Sequence, residues 1–295
     1  MRRWRWLIVL LGGLAIWFLS VIVTAITGNP NLVPTVVLFG SFLIPVTAVV
    51  WNFDHEADSA ISGQRVAYAF IAGGALGVIA ASVLEALLVQ NGALQYIVVG
   101  LIEEFVKLAV LFAFAAGLAR YTTRDGVVLG AAVGFGFAAL ESSGYAFVAL
   151  LSQHGLSLSS LVETEILRGI LAPVGHGLWT AIVGAVLFRG ASRRGHLRIT
   201  WGLVGVYLLV SVLHALWDSA RGIALFLTLL LTATPQQVTQ LQHGTVPRIA
   251  AAQVLFFDVL EFGGMVVDSL IAIGALVLLW QVWVRREAPI GTDQG

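Results

Sequence analysis

Among its 295 residues the chain has no cysteine, which excludes disulfides, thiolate nucleophiles and cysteine metal ligands together. Lysine is almost absent: of the 16 basic residues, all but Lys107 are arginines. Charge of either sign is scarce, at 11% Asp, Glu, Lys and Arg against roughly 25% in a soluble domain. The net charge is zero, so no field effect favours nucleic acid. Whatever chemistry the chain performs must therefore use oxygen and nitrogen groups.

What the chain has is apolar surface, with 59% hydrophobic residues and a mean hydropathy of +0.94. That composition marks an integral, multi-pass protein of the cell membrane, with the lipid bilayer as its solvent. At about 20 apolar residues per span, the length accommodates on the order of eight transmembrane helices and no soluble catalytic domain. The expected fold is an all-α polytopic bundle, residues 1–295 forming one membrane-embedded domain, with a core at 93–221 and flanking helices at 1–89 and 253–284. The N-terminal stretch MRRWRWLIVLLGGLAIWFLSVIVTAITG starts like a secretory signal. Its apolar run exceeds the usual length of about 7 to 15 residues, so it reads as an uncleaved first span.

Apolar runs bounded by charge or by Gly, Pro and Asn predict helices at 7–27, 32–51, 65–89, 93–119, 126–150, 170–189, 199–221 and 253–284. Residues 222–232 are too short to cross alone and either extend the seventh helix or lie at the interface. With these spans the arginines fall almost entirely on one side, leaving Arg168, Arg221 and Arg248 on the other. The positive-inside rule then places both termini in the cytoplasm. The cluster Asp54, His55, Glu56 and Asp58 reads as a solvated cytoplasmic loop. LSSLVETEILR, in the extracytoplasmic loop 151–169, reads as a short interfacial helix.

Against this background the ionisable residues inside spans stand out, because each costs roughly 2.5–3.5 kcal/mol near the bilayer centre. They are Glu85, Glu103, Glu104, Lys107, Glu141, His176, His214, Asp218, Asp258, Glu261 and Asp268. In GLIEEFVKLAV, Lys107 lies i,i+4 from Glu103 and i,i+3 from Glu104, so it is able to pair with either. Phe137 and Glu141 are i,i+4 in GFGFAALE, and the pentads HGLWT and HALWD repeat a histidine and a tryptophan three apart. His214 and Asp218 at i,i+4 form a carboxylate-oriented imidazole. At about 1.5 Å per residue, Glu103, Glu104, Glu141, His176 and His214 all lie about 9 to 15 Å from the extracytoplasmic ends of their spans. Four helices thus place polar groups in one layer. Asp258, Glu261 and Asp268 either line the same cavity or pair near Arg248.

EEFVK, then FGFAALE, then HGLWTAIVG, then HALWD resembles, in that order, the PrsW family of intramembrane proteases, relatives of the membrane CAAX-processing endopeptidases. The resemblance covers about 130 residues and rests on Glu103, Glu104, Lys107, Phe137, Glu141, His176, His214 and Asp218. One departure is Ser142, where the family usually has Asn. The resemblance implies an endopeptidase that cuts a single-span membrane protein, such as an anti-sigma factor, on the extracytoplasmic side; it says nothing of oligomeric state. In that reading Glu103 or Glu104 takes a proton from water, and Lys107 balances the spare carboxylate. His176 and His214 position the water or stabilise the oxyanion, while Glu141 serves as a second acid/base or a ligand. Two versions follow, one without metal and one in which Glu104, His176 and His214 hold Zn²⁺. A proton- or ion-coupled transporter and a non-catalytic membrane binding protein are the competing classes, both compatible with buried carboxylates and histidines.

Overall fold

The computed structural model describes residues 4–55, 61–92, 94–152, 155–245 and 247–282, and it is almost wholly helical. Ten α-helices follow one another: α1 Arg5–Thr27, α2 Val33–His55, α3 Gly63–Leu88, α4 Gln95–Ala115, α5 Thr123–Leu150, α6 Leu158–Leu171, α7 His176–Ser192, α8 Trp201–Thr232, α9 Pro235–Gln242 and α10 Ala251–Val282. A minimal ribbon pairs β1 (Leu151–Ser152) with β2 (Gly155–Leu156) before α6. Among the described residues, seven segments are long and apolar enough to cross a membrane, with α6 and α7 counted as one. α4 falls outside that set because it carries three charged residues, Glu103, Glu104 and Lys107. It nevertheless packs between α3 and α8, and its 21 residues reach about 30 Å, the thickness of the hydrocarbon layer. The protein is a multi-pass membrane helical bundle.

One expected boundary is corrected and one open alternative is resolved. The sixth helix does not run from 170; the chain forms α6, a 3₁₀ turn at Ala172–Val174, and then α7 starting at His176. Pro173 has no N–H to continue α6, and Gly175 leaves the helical region at φ −100°, ψ −129°. α6 is also more deeply set than an interfacial helix, with Leu161 and Glu165 buried against its neighbours α2 and α5. At the other end, residues 222–232 simply continue α8. Asp54 is also no member of a solvated loop: it is buried in the last turn of α2, where the Arg5 guanidinium donates to it from Nε at 3.0 Å and from Nη2. His55 is exposed and bonds the Trp51 carbonyl, while Glu56 and Asp58 lie outside the described residues.

The centre of the bundle is a seam of small residues between α5 and α7. A Cβ on Gly126 would overlap the Gly184 carbonyl, one on Gly130 the Thr180 carbonyl, and one on Gly134 the His176 carbonyl. These glycines recur every four residues, so one stripe of α5 lets α7 approach to backbone contact. Gly73, Gly74 and Gly136 do the same between α3 and α5. Around the seam sit Leu129, Val133, Trp179, Ile182 and Phe188, all buried. α1 and α10 lie at the edges, with long rows of exposed apolar side chains.

Candidate functional site

Glu103, Glu104 and Lys107 are carried on one side of α4, where Gly100 opens the way to α8: a Cβ there would lie 2.6 Å from the Ser211 carbonyl. That close approach, one turn before the glutamates, brings His214 of α8 against them. Lys107 is fully buried, and its Nζ donates to Glu104 Oε1 at 2.8 Å, to Glu103 Oε2 at 3.1 Å and to His176 Nδ1 at 2.8 Å. The ammonium also lies 4.0 Å from the centroid of the Phe137 ring, a cation–π contact that replaces part of its lost hydration. A buried ammonium with three acceptors and an aromatic face is a satisfied one, which makes its place in a membrane helix tolerable.

His214, buried as deeply, has a carboxylate on both sides. Its Nδ1 meets Glu104 Oε1 at 3.0 Å, while its Nε2 lies 3.6 Å from Glu103 Oε2 and 3.4 Å from Asp218 Oδ2. His176 begins α7 directly opposite Gly134. An ammonium only donates, so His176 Nδ1 accepts from Lys107 and the ring proton sits on Nε2, which donates to Glu141 Oε2 at 3.0 Å. The two imidazoles meet edge to face at 4.9 Å between centroids.

All eight residues of the sequence motifs therefore share one connected cluster, drawn from α4, α5, α7 and α8. Glu103 lies about eight residues from the start of α4 and Glu141 about nine from the end of α5, which is about 12 to 14 Å from those helix ends. Glu85 stands within electrostatic reach of Glu141 and His214. On α10, Asp268 is buried, and neither of its oxygens has a hydrogen-bond partner among the described residues. Asp258 and Glu261 stay half-buried on the same helix.

Two participants escaped the sequence reading. Trp179, 1% exposed, packs edge-on to His176 at 5.4 Å and over His214 at 5.1 Å, and its echo partner Trp217 meets it at 6.0 Å. The repeated pentads contained this signal, since each tryptophan follows its histidine by one helical turn. Arg168, expected in an extracytoplasmic loop, reaches the cluster from α6 and donates from Nη2 to Glu141 Oε2 and from Nε to Ser142 Oγ at 2.8 Å. Ser142 thus accepts a hydrogen bond where the family pattern has an amide.

Glu103, His176 and His214 each offer a donor atom within 4.8 Å of the others. Two imidazoles and one carboxylate are the ligand set of many catalytic zinc sites; to hold such an ion here, Lys107 would have to release His176 Nδ1 and Glu103 Oε2. Glu104, paired with the histidines in the sequence reading, instead takes Lys107 and His214 on its Oε1.

The family model described as PrsW family intramembrane metalloprotease matches residues 2–241. Protease PrsW of Halalkalibacterium halodurans is 31% identical over 125 residues, or 42% of this chain and 52% of the relative. The chain thus spans about half the length of that curated relative. No solved structure matches.

Proposed function

This chain belongs to the PrsW family, and on that premise we propose that it is an intramembrane endopeptidase acting on a single-span, anti-sigma-factor-like membrane protein near the extracytoplasmic face. Its core is the helices of residues 93–221. The observation that carries the reading is the buried chain of contacts from Glu141 through His176, Lys107 and Glu104 to His214 and Asp218.

The two glutamates differ in how tightly they are held. Glu104 is bonded by both Lys107 and His214 on one oxygen and is 2% exposed, whereas Glu103 has the longer lysine contact and is 7% exposed. Glu104 is the fixed counter-ion, and Glu103 is the carboxylate free to take a proton from water. His214, with carboxylates facing both ring nitrogens, is able to hold a proton on each and to offer Nε2–H to a developing oxyanion. Lys107 keeps the adjacent carboxylates compatible in a low-dielectric setting, and His176 is oriented from both of its nitrogens. In the alternative, metal-dependent version a zinc ion held by Glu103, His176 and His214 would supply Lewis acidity and a more acidic bound water, with Glu103 a ligand rather than the proton acceptor and His214 carrying no proton on its ligating nitrogen.

The test is co-expression with a candidate single-span substrate. Glu103→Gln is expected to abolish cleavage, with a fall of at least about 10³-fold, and His214→Ala and Glu104→Gln are expected to cut it by about 10²-fold or more. Unchanged cleavage in all three variants overturns the mechanism. Metal analysis of the purified protein, with chelator treatment, separates the zinc version from the metal-free one.

A further inference from the structure

Arg168 lies on α6, outside the four helices that carry the motifs, yet its guanidinium is fixed at three points on one face of α5. Nη2 donates to Glu141, Nε donates to Ser142 Oγ at 2.8 Å, and the guanidinium plane sits 4.2 Å from the Tyr145 ring centroid. Residues 141 and 142 each stand one turn from residue 145, at i,i+4 and i,i+3, so the planar fork of arginine spans a preformed docking site that a lysine would meet only as a point charge. α6 in turn is anchored from behind. One turn before Arg168, the buried Glu165 accepts a hydrogen bond from Trp17 Nε1 at 2.7 Å and fills the space left by the missing side chain of Gly40.

Glu141 Oε2 is the acceptor for both Arg168 Nη2 and His176 Nε2. The direction of that carboxylate therefore helps decide where the His176 ring points and, together with the Lys107 ammonium on Nδ1, keeps the ring proton on Nε2. We propose that Arg168 is a positioning residue: from α6 it fixes Glu141, and through Glu141 the orientation and tautomer of His176. The activity part of this inference rests on the peptidase reading above; the structural part does not. Ser142 belongs to the same device, since its hydroxyl gives Nε an acceptor and holds the fork in register with Glu141.

The experiment uses the full-length protein in detergent or nanodiscs, with Arg168→Gln, Arg168→Lys, Ser142→Ala and Glu141→Gln, and the exposed cytoplasmic Arg193→Gln as control. On a single-span substrate, Arg168→Gln is expected to lower kcat about 10- to 100-fold, the usual cost of losing a group that orients a ligand, with KM within about threefold. Arg168→Lys restores part of the loss, because it returns the charge to Glu141 without the fork. In the Glu141→Gln background Arg168→Gln adds no further loss. A fall confined to KM, or full additivity with Glu141→Gln, overturns the proposal.

The second readout is ¹⁵N NMR of histidine-labelled protein, with the His176 signals assigned by their loss in His176→Asn. Wild type and Arg193→Gln should show a single tautomer protonated at Nε2, and Arg168→Gln should show a mixture or a shift. Unchanged His176 signals in Arg168→Gln refute the positioning role. Absence of cleavage by the wild type defeats the peptidase reading alone, and the NMR result then decides the positioning by itself. Should Arg168→Gln fail to fold, Ser142→Ala removes only the Nε anchor; a shift of the His176 signals supports the proposal and unchanged signals refute it.

Discussion

α5 and α10 are both long apolar helices, yet 83% of the most hydropathic stretch of α5 is buried and only 17% of that of α10. α5 is lined with glycine and alanine and carries its polar group, Glu141, into a cluster of partners. α10 is lined with valine, leucine and isoleucine that face outward, and its buried Asp268 has no hydrogen-bond partner among the described residues. Mean hydropathy is lower in α5 than in α10, at 1.5 against 2.2, but by itself it does not say which helix packs closely against its neighbours. Side-chain size and polar company do, because lipid is as apolar as leucine and helices associate in a membrane through close packing and hydrogen bonds.

The sharpest way to break the inner region is at its charge centre. Lys107→Met leaves Glu103 and Glu104 buried without their cation, and is expected to cost about 3–5 kcal/mol in a detergent unfolding titration; an unchanged midpoint contradicts the ion-pair account. Next comes the seam. Gly134→Val drives a side chain into the His176 carbonyl and is expected to cost about 1–3 kcal/mol or more, read as lost folded yield and a lower Tm, whereas Gly263→Val on α10, where a Cβ meets open space, leaves both unchanged.

A smaller effect separates edge from centre. Trp17→Phe removes the indole donor to Glu165, and membrane hydrogen bonds average about 0.6 kcal/mol, so its thermal shift should be modest and its cleavage rate close to wild type. The least effect belongs to the outward face of α10. Leu270→Ala is expected to change stability by no more than about 0.5 kcal/mol, and a larger loss measured by the same titration would mean that this face is covered in the native membrane.

The motif cluster was legible in the sequence because ionisable residues in an apolar background have few reasons to exist, and helical spacing then set Lys107 beside Glu103 and Glu104. Depth counted along the spans puts Glu141 and the histidines near them even though the expected helix start at 170 precedes the observed one at His176. Pro173 and Gly175 held the signal for that break, but the apolar run across them masked it. Arg168 and Glu165 were not legible. Both lie in a segment polar enough to pass for a loop, and only tertiary packing of α6 between α2 and α5 turns them inward. Trp17 and Glu165 are 148 residues apart, a distance at which no local pattern operates.

The placement of Lys107 on the same helix as its carboxylates bears on how the protein is made. The glutamates emerge from the ribosome long before their other partners: His176 follows Lys107 by 69 residues and His214 follows Glu104 by 110. At synthesis rates of about 5–20 residues per second, α4 must wait several seconds in the membrane before either histidine arrives. A lysine one turn away is present as soon as the helix forms, so the segment carries its own neutralising partner through insertion. The single lysine of the chain therefore stands where the wait for partners is long and the solvent least forgiving of unpaired charge.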